Sequence, residues 1–201
     1  MEQGNYPFRR LINDLEADLM SYAKNLLGLE QITFWDRIKI VFKFPTFWLL
    51  VFHRYRFWVH SLFKNKFIRM GMKFFSLLGQ RIFELITKSE ILSTADIAPG
   101  FCFAGKGGVT LGARKIGRGC TIYENVTIGR DHLLNIPELG EFVRVGSNSV
   151  IYGGIKIGNG VIIKESTVLT KSVPDYCIVQ GNPGRIVKKI ATTNSDNDRS
   201  R

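Results

Sequence analysis

Residues 139–169 read LGEFVRVGSNSVIYGGIKIGNGVIIKESTVL, and this stretch decides the fold. Leu139, Val145, Ile151, Ile157, Ile163 and Leu169 recur at every sixth position without a slip. A helix has a period near 3.6, so a six-residue step cannot hold one helical face. Glycine follows several of the anchors directly, as in Leu139-Gly140, Val145-Gly146 and Ile157-Gly158. A six-residue repeat is the mark of a parallel β-helix, in which each hexad gives a short strand and a corner. Three hexads close one coil, and stacked coils share one continuous core. Working outward toward the N-terminus, Ile116, Ile122 and Ile128 continue the series, and Ile97, Phe103 and Val109 precede them. Twelve anchors predict about four coils.

The series breaks twice. Val109 to Ile116 is seven residues, a one-residue stretch at a corner. Ile128 to Leu139 is eleven, so five extra residues leave the coil within roughly 130–137. Function concentrates where a rigid scaffold carries an irregular excursion. A purely structural bulge is the alternative.

The rest of the chain sets bounds. Its 201 residues, 45% hydrophobic, suffice for one or two domains. Cys102, Cys120 and Cys177 are an odd number without a CxxC pair. That argues for a reducing compartment and against a disulfide framework or a metal site, with each thiol serving as a small buried hydrophobe. Met1–Arg10 lacks the apolar core of a signal peptide. Leu11, Leu15, Leu19, Tyr22 and Leu26 form an amphipathic stripe ending near Gly28. Thr33 with Asp36 predicts a capping box that opens a second helix. Pro45 suits the first turn of a third helix over 46–63, and a fourth covers 67–87. The expected organisation is α+β: a helical, basic and aromatic region over 1–94, a β-helix over 95–190, and a polar, disordered tail over 191–201.

Charge is uneven. The net charge is +11, and residues 32–88 hold eleven Lys or Arg against two acids, with fifteen aromatics. No uncharged run there approaches the roughly twenty residues of a membrane span. The pattern predicts peripheral contact with a membrane surface through 46–87, basic groups meeting lipid phosphates. Packing of the aromatics against the β-helix or a neighbouring subunit is the alternative. Nucleic acid is not expected, because no binding motif accompanies the charge.

Four C-terminal motifs carry a resemblance. Asn125-Val126-Thr127-Ile128-Gly129 contains a VTIG element. Gly158–Ile163 reads GNGVII, and Thr167–Pro174 reads TVLTKSVP. Gly181–Val187 reads GNPGRIV, and Tyr55-Arg56 and the acidic helix around Asp14–Asp18 fit the N-terminal part. Together these resemble the hexapeptide acyltransferase superfamily, in its serine acetyltransferase-like branch, which includes O-acetyltransferases of surface-polysaccharide gene clusters. The resemblance implies a left-handed β-helix and a homotrimer. It implies acetyl-CoA as co-substrate, lying in the groove between neighbouring β-helices. It also implies a histidine general base, with backbone N–H groups stabilising the oxyanion. The acceptor implied is a sugar hydroxyl of a polysaccharide or lipid-linked glycan. The location implied is cytoplasmic, at the inner face of the plasma membrane.

The chain departs from that pattern at the histidine. Where the branch carries a stretch resembling DHGTGVVIG, this chain reads Ala104–Gly112, AGKGGVTLG, with Gly105 at the histidine position. A second family histidine, before a proline, falls on Ile136-Pro137. Serine recognition is therefore not expected. His132 lies in the excursion beside Asp131, and both are expected at the catalytic centre, the carboxylate orienting the imidazole. A solvated loop histidine is the alternative, and Lys106 is the rival base. His53 and His60 are expected to be structural or interfacial. Lys171, Arg185 and Lys188 are expected to meet the CoA phosphates, and Gly154 completes the expected cofactor-binding set. Two functions stay open: an acetyl-CoA-dependent O-acetyltransferase, and a catalytically silent hexapeptide protein that binds CoA or a partner.

Overall fold

A computed structural model describes residues 8–62, 66–92 and 95–190. The side chain of His60 and the expected tail at 191–201 lie outside the described residues. Four helices come first: α1 (Phe8–Tyr22), α2 (Phe34–Lys43), α3 (Pro45–Leu62) and α4 (Lys66–Thr87). A π-helical turn, Ala23–Leu27, extends α1 and ends on Gly28 in the left-handed region. Thr33 caps α2 with both hydrogen bonds of the capping box to Asp36. α3 begins on Pro45, where its missing N–H leaves no helical bond unmade.

The parallel β-helix follows. Its first face stacks β1 (Glu90–Ile91), β4 (Thr110–Leu111), β7 (Thr127–Gly129), β10 (Val150–Tyr152) and β13 (Val168–Leu169). The second face stacks β2 (Asp96–Ile97), β5 (Lys115–Ile116), β8 (Glu138–Leu139) and β11 (Lys156–Ile157). Val173 bridges to Ile157 as its fifth layer. The third face stacks β3 (Cys102–Phe103), β6 (Thr121–Ile122), β9 (Arg144–Val145), β12 (Ile162–Ile163) and β14 (Cys177–Gln180). β15 (Arg185–Lys189) then pairs antiparallel with β14.

These strands make five coils where the hexads predict about four. The first coil starts at Glu90, ahead of Ala95, and Ile91 is its anchor, paired with Leu111. The strand anchor of the second coil is Leu111 and not Val109. The corner before it is longer than a hexad allows, and Val109 is buried within that corner. A second inward column lies two residues before the anchors of the third face: Phe101, Cys120, Val143, Val161 and Cys177, all fully buried. Each hexad on this face thus places two side chains in the core. All three cysteines are buried and unbonded, and burial pushes the Cys120 thiol up to about 12.

A solenoid's first coil has no preceding coil to pair with, so its edge groups need other partners. The helical layer supplies them through charge. Asp18 accepts from the N–H of Gly100 at 2.9 Å and of Phe101 at 3.0 Å. Arg54 donates to the carbonyls of Ile97 and Ala98, both at 3.2 Å. The two side chains also pair with each other, at 2.6 and 2.9 Å, and Asp14 lies 3.8 Å from Arg54. Burial raises the Asp18 pKa, while the charge and hydrogen bonds of Arg54 and the backbone donors oppose the rise. Tyr22 accepts from the Phe103 N–H at 3.3 Å, and His53 Nε2 lies 3.1 Å from the Ala95 carbonyl. α3 is therefore a core helix, with Phe47, Leu49, Leu50 and Val59 buried. This corrects the expectation that all of 46–87 meets a membrane: α3 turns inward because its Arg54 and His53 close the coil edge.

Candidate active site

The excursion is where the step of six breaks. β7 ends at Gly129 and β8 begins at Glu138, so residues 130–137 leave the corner between the first and second faces. Asp131 ties this loop. Its Oδ1 accepts from the N–H of Leu133 and of Asn135, both at 2.9 Å, and its Oδ2 from the Asn135 side chain at 3.0 Å. These bonds, the Asn135 amide first, hold the Asp131 carboxyl below the usual carboxylate range. The Asp131 carbonyl accepts from Leu134, which sits at φ 64. A bulky residue in the left-handed region costs about 1 kcal/mol or more and persists only where its surroundings fix it.

Asp131 is thus a loop clamp. Among the described residues no hydrogen bond joins Asp131 to His132, and its oxygens accept instead from Leu133 and Asn135. His132 itself is exposed on the turn that these bonds create. Leu133 and Leu134 are exposed beside it, and Tyr152 stands exposed next to Gly129, where the loop departs.

Gly154 also changes role. A Cβ built on it would lie 2.7 Å from the Cβ of Asn135, and one on Gly153 would lie 3.5 Å from Asp131 Oδ2. The glycine pair seats this chain's own loop. The pair of glycines in Tyr152-Gly153-Gly154, one coil past the excursion, was the signal in the sequence.

The three expected cationic ligands are separated. Lys171 lies between β13 and Val173, on the same corner as the His132 loop but two coils further on. Arg185 pairs with Gln180 at the end of β14, toward the corner between the third and first faces. Lys188 pairs with Ile178, nearer the opposite end of that strand. One chain does not bring the three together, because the coil winds them onto different edges of the prism.

Gly105 lies between β3 and β4, at the far edge of the first face from the His132 loop. A Cβ on Gly105 would lie 2.7 Å from the Cβ of Glu124 and 2.8 Å from its backbone nitrogen. The corner is closed to a larger side chain. Beside it, a shallow cleft is lined by Thr87, Lys88, Lys106, Glu124 and Asn125. Lys106 is exposed there, on the opposite edge from His132.

A family model described as "Bacterial transferase hexapeptide (six repeats)" matches residues 137–171. The serine acetyltransferase of Staphylococcus epidermidis is 34% identical over 134 residues, 65% of this chain and 61% of that protein. The chain thus carries bacterial transferase hexapeptide repeats and is similar to serine acetyltransferases over about two thirds of its length. It spans about three fifths of the length of the curated relatives it matches. A serine acetyltransferase structure from Brucella abortus superposes with a TM-score of 0.73 at 22% identity, covering 90% of this chain and 70% of that one. A serine acetyltransferase solved in complex with CoA gives 0.69 at 21% identity, covering 90% and 70%. The shared architecture is N-terminal helices followed by a left-handed β-helix.

Proposed function

We propose that this protein transfers an acetyl group from acetyl-CoA to a sugar hydroxyl of a surface polysaccharide or its lipid-linked precursor. The observation that carries this reading is the clamped loop. It holds His132 outward at a corner of a superfamily scaffold whose relatives include serine acetyltransferases. Acetyl-CoA supplies an activated thioester. His132 would take the proton of the acceptor hydroxyl, leaving the oxygen to attack the acetyl carbonyl. The exposed Tyr152 ring beside the loop suits a sugar face better than free serine. The loss of the first-coil histidine at Gly105 also speaks against serine.

In this reading the chain works as a homotrimer. His132 and Lys171 share one edge while Arg185 lies at another, so a groove between two chains can draw on both sets where one chain cannot. A lipid-linked acceptor would place the work at the cytoplasmic face of the plasma membrane.

The test is CoA release from the full chain with candidate glycans. His132→Ala is expected to lower turnover by about a hundredfold with CoA affinity nearly intact. Lys171→Ala is expected to raise the KM for acetyl-CoA and change turnover little. Full activity in His132→Ala removes this assignment and moves attention to Lys106. One observation favours a second reading, a silent protein that binds CoA or a partner: Glu124 closes the Gly105 corner. Wild-type protein with no turnover on any acceptor would favour it.

A further inference from the structure

Helix α4 is built inside out. At 100° per residue, Met70, Phe74, Leu78, Ile82 and Leu85 share one side of it. They are 61%, 68%, 51%, 47% and 80% exposed. The opposite side, turned to the rest of the protein, carries Ser76, Gln80 and Thr87, all buried. Ser76 Oγ donates to the Phe52 carbonyl at 3.3 Å. The Gln80 amide donates to Glu84 at 2.7 Å and reaches the Ile91 carbonyl at 3.5 Å. Gly79 lets the ring of Phe52 lie directly on the helix. The polar side is thus tied to α3 and to the first coil. The helix cannot roll to bury its apolar side without breaking these bonds. With Leu77 and Ile86, 46% and 61% exposed, that side spans roughly half the circumference, wider than the narrow seam two paired helices share. From Met70 to Leu85 it runs about 22 Å at 1.5 Å per residue.

We propose that α4 lies flat on an anionic lipid surface, its outward face seated at the boundary of headgroups and acyl chains. Charge selects the occupant. Glu84 is the sole acid of α4, and its carboxylate is taken by Gln80 and Arg81. Lys88 is exposed at the end of this helix and Lys73 is half-buried on its flank, while Arg81 is exposed but already paired with Glu84. An anionic bilayer offers these cations partners, whereas a second copy of the helix repeats them. Among the described residues no helix is long and apolar enough to cross a membrane, which fits a helix lying in the surface. The inference deepens the membrane-surface part of the proposed function. It does not depend on acyl transfer, because vesicle binding needs no turnover.

Flotation of the full chain with phosphatidylcholine vesicles, with and without phosphatidylglycerol, tests it. The chain is expected to float with the anionic vesicles at low salt and to leave them as salt rises. Phe74→Asp with Leu78→Asp is expected to lower the bound fraction at least about tenfold, from the loss of two apolar contacts. Both positions are exposed, so the melting temperature should not move; if it does, Leu85→Asp reads the same face. Absence of vesicle binding overturns the proposal, and so does binding that the substitutions leave unchanged. A mass by light scattering that falls in the double variant, with no vesicle binding in the parent, assigns the face to a second copy and overturns it as well.

Discussion

The solenoid and the helical layer use charge in opposite ways. In the solenoid, ion pairs run along the outside from coil to coil. Arg118 to Glu141 at 3.0 Å and Arg114 to Glu138 at 3.6 Å are largely solvated. In the helical layer, Arg54 and Asp18 are buried and hold the open edge of the first coil. A coil in mid-stack has its backbone satisfied by its neighbours, so charge there is surface decoration. The end coil lacks a neighbour, so buried charge replaces the missing strand. At the other end, β15 closes the stack with ordinary backbone pairing and leaves its side chains exposed. The two ends solve one problem with different chemistry.

Removing one member of each kind of pair separates the buried charge from the solvated one. Arg54→Ala leaves a buried carboxylate and two carbonyls without their donor. It is expected to lower unfolding stability by about 3–5 kcal/mol in urea titrations. Arg118→Ala is expected to cost less than about 1 kcal/mol. Equal losses would mean that the end coil does not depend on the pair.

His53 sharpens the same contrast through pH. Burial, with the charges of Arg56 and Arg54 beside it, lowers its pKa to about 3. The unfolded chain binds a proton near pH 6.5, where the folded chain does not. Stability is therefore lost as pH falls below about 6.5, by at most about 1.4 kcal/mol per pH unit, down to the folded value. His53→Leu should flatten that part of the stability curve. An unchanged slope between pH 6 and pH 4, marking about the window set by these two values, would assign the acid sensitivity to carboxylates instead.

Within the solenoid, the glycine seat of the loop is the next point of attack. Gly154→Val forces a side chain into the space of Asn135. Overpacking of this kind costs about 1–3 kcal/mol. Lifting of the exposed loop relieves most of that cost, so the melting temperature should move little. Turnover that depends on His132 should fall about tenfold, as a misplaced group does.

How far the sequence reaches differs between the two regions. The hexad step shows the coils because an inward anchor is required at every layer. It misplaces one anchor, Val109 for Leu111, where a corner takes extra residues. Helix ends are legible where the local chemistry is complete, as at Thr33 with Asp36 and at Pro45. The facing of α4 is not legible. Periodicity shows its apolar stripe, but only the bonds of Ser76 and Gln80 say that the stripe points outward. The Asp18–Arg54 clasp is hidden for a similar reason, since its members are 36 residues apart and meet groups more than 40 further on. At the site, the loop and His132 follow from the broken step. The role of Asp131 does not, because an Asp beside a His reads equally as an orienting carboxylate or as a turn clamp. Lys171, Arg185 and Lys188 look adjacent in sequence, while a coil distributes such neighbours over different edges.

The smallest effect expected separates those two roles of Asp131. Its carboxyl sits below the usual range because the Asn135 amide and the N–H groups of Asn135 and Leu133 favour the charged form. The clamp is therefore fully present above the ordinary carboxylate pKa and is lost as pH falls through the lowered folded value. Amide exchange should show it locally, with the Leu133 and Asn135 N–H protected near neutrality and opening in acid while the coil amides stay closed. Asp131→Ala should open the same two amides at neutral pH, lowering turnover through a looser loop with no change in the pKa that governs the reaction. If Asp131 also oriented His132, its removal would open the same amides and shift that pKa as well. The amides report the clamp under both roles, and the pH–rate profile decides between them.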